Sequence, residues 1–240
     1  MNIENLLNTY SLYLLVFGTV SLALLAAYSL RATKIIDENK KLIFITIVMV
    51  TLIPTLVMAG STVYINVTSS SSGPVHWHTD FEIYKCGKEV NIRDPKGLSN
   101  KIGTSTFHEH SDKRIHLEGV VMNRSDASLG NFFNVIGGEL SPNSFTIPVN
   151  EGFLMAKNGD GCLESGAGEV QVFVFTTDKE NYYSQKKLSN PQNYIISPES
   201  NVPSGDCVII EFDTPKDRTD KMCRSYKVAE KIGKLKGDKK

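Results

Sequence analysis

Polar and apolar positions divide this chain into regimes. From Tyr10 to Leu30 (YSLYLLVFGTVSLALLAAYSL) and from Leu42 to Ile65 (LIFITIVMVTLIPTLVMAGSTVYI) no residue is charged. Each block has the roughly 20 apolar residues a helix needs to cross a bilayer. Beyond residue 75 the pattern becomes alternation. In HWHTDFEIY, Trp77, Thr79, Phe81 and Ile83 fall on one side of a strand, and His76, His78, Asp80 and Glu82 on the other. In RIHLEG, Ile115 and Leu117 likewise oppose His116 and Glu118.

A cleaved signal peptide is the rival reading of the first block. Its leader, MNIENLLNT, carries Glu4 and no Lys or Arg, which is the wrong charge for a signal sequence. The expectation is therefore a transmembrane helical hairpin over residues 8–66, with Pro54 tolerated inside the second span. Arg31, Lys34, Lys40 and Lys41 gather in the intervening segment 31–41. Because positive residues stay on the cytoplasmic side, this loop is expected inside, and both the N-terminus and everything after Ile65 outside the cytoplasm. A Ser-rich tether is expected over 67–74. Asn66 and Asn123 fit the N-x-Ser/Thr acceptor pattern, which has meaning only in a cell that glycosylates exported proteins.

Residues 75–240 read as one extracytoplasmic domain. Cys86-Gly87-Lys88 marks a tight turn between the first strand and EVNI. SDASLGNFFNVIGG predicts a short helix capped by Ser125 or Asp126, with Leu129, Phe132, Phe133 and Ile136 on its packed side and Gly137-Gly138 as its stop. Further strands are expected at SFTIPV, EGFLMAK, EVQVFVFTT, NYIIS and DCVIIEFD, then a terminal helix fraying into a Lys-rich tail. The fold class expected is two transmembrane α-helices plus an extracytoplasmic α+β domain, a β-grasp-like sheet with one short packed helix.

Charge then narrows the partners. Lys plus Arg number 26 and Asp plus Glu 26, so no charge excess points to nucleic acid. The partners expected are the lipid bilayer and other membrane or envelope proteins. Four cysteines, none in a CxxC pair, favour disulfides outside the cytoplasm and allow three pairings, with four unpaired buried thiols as the alternative. The favoured pairing joins Cys207 to Cys223, which ties the terminal segment to a strand and leaves Cys86 with Cys162.

The chain has five histidines: His76, His78, His108, His110 and His116. Residues i and i+2 of a strand stand roughly 6–7 Å apart on one face, within reach of one ion. Two His-x-His pairs and a further strand-borne His within 41 residues therefore predict a divalent transition-metal site. The bland alternatives are a polar sheet face rich in histidine, or core histidines satisfied by backbone hydrogen bonds; parity argues against the second, because His76, His78 and His116 oppose the apolar side. Imidazole suits zinc and copper, with zinc ranked first where carboxylates share the face. Asp80, Glu82 and Glu118 are candidates for supporting groups around the ligands.

The spacing His76-x-His78-x-x-x-Glu82 resembles the first metal motif of the cupin family, but that family's second motif has no counterpart here. No nucleophile elbow, phosphate-cradling glycine loop or zincin helix is present, so no catalytic residues are assigned. A closer resemblance is to uncharacterised prokaryotic envelope proteins carrying HxHxDFxIY, HxH, IHxE and LGxFFxxxGG. Here these read His76 to Tyr84, His108-Glu109-His110, Ile115 to Glu118, and Leu129 to Gly138. The resemblance implies a membrane-tethered His-rich module and brings no activity. Two functions remain: metal handling or sensing at the cell surface, or a structural or interaction module of an envelope complex with no metal.

Overall fold

The computed structural model describes residues 3–31, 33–98, 100–162, 166–196 and 205–238, with side chains of 3–5, 8 and 33–37 outside that description. The chain separates into two compact units, Met1–Gly73 and Pro74–Lys240.

The first unit is a pair of helices, α1 (Ile3–Ser29) and α2 (Thr33–Thr68). Two stretches, Thr9–Ser29 and Glu38–Thr68, are long and apolar enough to cross a membrane, with mean hydropathy 1.9 and 2.6. Leu12, Phe17, Leu24, Phe44 and Leu56 are all exposed, the arrangement lipid would satisfy and water would not. The hydroxyls of Thr19, Thr46, Thr55 and Thr62 each donate to the carbonyl four residues back, so none needs water. A Cβ at Gly18 would lie 3.1 Å from the Val50 carbonyl oxygen, so the helices meet at a small residue. The segment 31–41, expected as a loop, is helical from Thr33, with a break in helical dihedrals at Asn39 (φ −115°, ψ 18°). Pro54 lies inside the helix, and α2 continues to Thr68, shortening the expected tether.

The second unit contains β1 (Pro74–Lys85), β2 (Lys88–Val90), β3 (Ile102–Gly103), β4 (Phe107–Glu109), β5 (Arg114–Val120), α3 (Leu129–Val135), β6 (Glu139–Leu140), β7 (Ser144–Val149), β8 (Gly152–Lys157), β9 (Gly161–Cys162), β10 (Gly166–Ala167), β11 (Glu169–Thr177), β12 (Tyr183–Lys187), β13 (Cys207–Asp213) and α4 (Arg224–Lys231). The main mixed sheet has the order β12-β11-β13-β1-β5-β4-β3, with β2 also on β1. Strands β1 and β13 are parallel at its centre, and β6-β7-β8 form a separate sheet. Cys86 (φ 51°) and Gly87 (φ 75°) make the turn from β1 to β2 with both central residues left-handed, the conformation that suits the twist of a hairpin.

Alternation in β1 and β5 sets the core. Phe81, Ile83, Ile115 and Leu117, with Phe107 from β4, are buried together with Leu129, Phe132, Phe133 and Ile136 of the α3 region. The ring centroids of Phe81 and Phe107 lie 5.4 and 5.5 Å from that of Phe132. The cap of α3 is Ser128, whose hydroxyl accepts from the Asn131 N–H, because Arg124–Ala127 forms a preceding 3-10 turn; Ser125 and Asp126 sit within that turn. Gly137 (φ 88°) ends the helix as expected.

Two expected elements differ in the structure, and one side of β1 is covered at its far end. NYIIS is no strand: Ile195 makes one bridge to Ser128 and the Ile196 N–H bonds the Ala127 carbonyl, so this segment braces the start of α3; Ser197 lies outside the described residues. The tail after α4 does not fray at once, because Leu235 is buried and the Lys236 N–H bonds the Asn181 carbonyl. The histidine-bearing side of β1 is not solvated throughout. A second core of Tyr84, Phe173, Phe175, Ile209, Tyr226 and Leu235 forms there, and Asp80 and Glu82 are buried on that side of the strand.

Candidate metal centre

Register brings the three histidine segments together. Across β1 and β5, His76 faces Glu118 and His78 faces His116. Across β5 and β4, His116 faces His108, and across β4 and β3, His108 faces Gly103. Because side chains alternate along a strand, all these histidines take one face, while Trp77, Phe107 and Leu117 pack on the other. Ring centroids are 4.5 Å apart for His76 and His78, 4.8 Å for His78 and His116, 5.4 Å for His108 and His116, 5.0 Å for His110 and His116, and 4.8 Å for His108 and His110. The five imidazoles are thus one cluster.

Among the described residues two groups of donors can hold a metal ion. One is His76, His78 and His116; the other is His108, His116 and Glu118; in each, the donor atoms all lie within 4.8 Å of one another. Exposure grades across the row. The His76 side chain is 62% exposed, His78 and His116 are half-buried, and His108 is buried.

An ion-pair contact and two hydrogen bonds orient several of the rings. His76 Nε2 lies 3.2 Å from a Glu118 carboxylate oxygen, and His116 Nε2 3.2 Å from Asp112 Oδ2. His110 Nδ1 meets the Asn100 carbonyl, which only accepts, so the proton belongs on Nδ1 and the Nε2 lone pair is left for a metal. His108 Nδ1 is buried with no hydrogen-bond partner. Such a group costs roughly 1–3 kcal/mol to leave unsatisfied, which a bound cation would offset. Burial lowers the pKa of His78, and repulsion from His116 and His76 lowers it further. Burial, then His110, lowers that of His108. Both rings are therefore neutral near pH 7, the form that ligates.

Of the carboxylates singled out in the sequence, only Glu118 joins a donor group. Asp80 is held by Arg114, with Nε to Oδ1 2.6 Å and Nη2 to Oδ2 3.3 Å. Glu82 accepts from Tyr84 Oη at 2.6 Å and from the Arg224 N–H at 2.9 Å, so it fastens the start of α4. Sequence reasoning missed Asp112, whose position four residues before His116 was the available signal. It also missed Glu109, which is buried and accepts from the Lys113 N–H at 3.0 Å. Ser111 (φ 64°) and Lys113 (φ 60°) are left-handed, so Glu109 pins an unusual turn that presents Asp112. A cleft of about 790 Å³ runs from Asp112 and Arg114 past Asp80 to Arg224 and Lys234.

Two glycines make the row possible. A Cβ at Gly205 (φ 87°) would collide with the His78 carbonyl, and one at Gly103 (φ 111°) with the Phe107 carbonyl. Thiolate ligation is not on offer, because Cys86 and Cys162, with Cα atoms 5.5 Å apart, and Cys207 and Cys223, at 5.7 Å, stand at disulfide distance in the favoured pairing. The donor set is nitrogen and oxygen only. No family model, curated protein or solved structure matches the chain.

Proposed function

We propose that this protein is a membrane-anchored domain that binds a divalent transition metal outside the cytoplasm, for metal handling or sensing, with zinc ranked ahead of copper. The observation that carries the reading is the pair of donor groups built from His76, His78, His108, His116 and Glu118. The buried, unpartnered Nδ1 of His108 supports it, since a neutral imidazole without a partner is poorly placed in a metal-free protein. Orientation rests on Arg31, Lys34, Lys40 and Lys41 beside the spans, and the two cysteine pairs favour the same oxidising side. The resemblance to His-rich envelope proteins supports a tethered module. A β-grasp-like reading of the sheet is supported by the central parallel pair β1 and β13, flanked by β5 and β11, with α3 between the two halves in sequence.

The test is a thermal shift. Full-length protein, purified in detergent without a polyhistidine tag and stripped by chelator, should melt at a higher temperature in micromolar zinc or copper near pH 7. A melting temperature unmoved by either metal would replace this reading with the interaction module.

A further inference from the structure

Resting on the metal-binding reading, we infer that the cluster holds two divalent ions side by side, one on His76 and His78 and the other on His108, with His116 between, Glu118 bridging them and His110 beside the second. Four imidazoles and the Glu118 carboxylate make up the two donor groups, and His110 joins neither but has its ring centroid 4.8 Å from that of His108, whereas zinc in a nitrogen and oxygen site takes four ligands. A single ion would strand donors.

His78, His116 and His108 occupy neighbouring strands in register, so the backbones of His78 and His108 are about 10 Å apart, two strand spacings. Correspondingly, no donor group among the described residues contains both His78 and His108; each contains His116 and one flank. The cluster therefore has two centres of convergence. Glu118 spans them: its carboxylate is 3.2 Å from His76 Nε2 on one side and within 4.8 Å of the His108 and His116 donor atoms on the other. A carboxylate offers an oxygen to each of two cations, and its charge reduces their repulsion. Paired sites of this kind hold their ions roughly 3.5–4 Å apart. Supporting bonds exist beside the second ion and at the centre, since Asn100 orients His110 and Asp112 orients His116.

The experiment uses tag-free, chelator-stripped full-length protein in detergent. Titrated with zinc and desalted, it should retain two equivalents by elemental analysis. Loaded with copper(II), its paramagnetic resonance signal should integrate to less than the copper bound, because bridged spins couple. Glu118→Gln should lose one equivalent or restore the full signal, with unchanged circular dichroism. One equivalent in the wild type would overturn the pair and leave metal binding standing, and none would overturn both. Two equivalents with full signal intensity, or coupling unchanged in Glu118→Gln, would contradict the bridge.

Discussion

His78 and His116 face each other across β1 and β5 with ring centroids 4.8 Å apart and near-perpendicular planes. Two imidazoles so placed converge on one cation, and the surroundings of His78 and His108 couple the site to pH. The pKa of His78 and that of His108 are lowered from 6.5 in the fold, mainly by burial, while the unfolded chain titrates near the ordinary value. Unfolded protein therefore binds more protons below about pH 6.5, and metal-free stability falls as pH drops from 6.5 through the lowered values. Burial raises the pKa of Glu109 above 4.5, which acts in the opposite sense, so the comparison needs a variant. Denaturant midpoints of the metal-free protein should decline from about pH 7.5 to 5.5, and His78→Gln should flatten that decline. An equal slope in both would contradict the assignment.

The terminal clamp gives a second prediction. Cys207 and Cys223 are 16 residues apart in sequence, for which chain entropy gives about 3 kcal/mol of stabilisation. Cys86 and Cys162, 76 apart, give about 4.5 kcal/mol. Replacing Cys207 and Cys223 with serine should lower unfolding free energy by about 3 kcal/mol and loosen α4, seen as faster amide exchange around Tyr226. Mass spectrometry of unreduced digests should recover both linked peptides, and free thiols at all four positions would refute the pairing.

Gly205 predicts a third outcome, because its positive φ and its contact with the His78 carbonyl leave no room for a side chain. Gly205→Ala should cost about 1–3 kcal/mol in stability and weaken metal binding by displacing β1. Unchanged metal affinity at full stability would show that β1 tolerates the shift.

Orientation is checked on whole cells. A cysteine introduced in the Ser69–Ser72 turn should react with an impermeant reagent, and one at Glu38 should not. The reverse pattern would move the domain into the cytoplasm and remove the grounds for disulfides.

Much of this was legible in the residues. The uncharged blocks stood out by length alone, and the period-two pattern of HWHTDFEIY and RIHLEG put the histidines opposite Phe81 and Ile115. The turn at Cys86-Gly87 and the strands SFTIPV and EVQVFVFTT followed from local chemistry. What escaped depended on distant packing. Asp80 and Glu82 share the parity of His76 and His78, but α4, 142 residues along the chain from Glu82 at Arg224, covers that end of the strand, and no local pattern records such a lid. The cap at Ser128 was hidden by the 3-10 turn before it, since Ser125 and Asp126 are equally good capping residues. The role of Asp112 required knowing that the 111–113 turn folds over Glu109.

Metal content is the most direct measure of the central claim. Tag-free full-length protein and the His76→Ala/His78→Ala variant should be purified together in detergent, equilibrated with zinc and desalted. Elemental analysis should find zinc retained by the wild type and a clear loss in the variant, with matching circular dichroism, because both side chains oppose the core formed by Phe81 and Ile83. Wild-type protein that retains no zinc or copper, or a variant that retains as much as the wild type, would contradict a metal centre at these histidines.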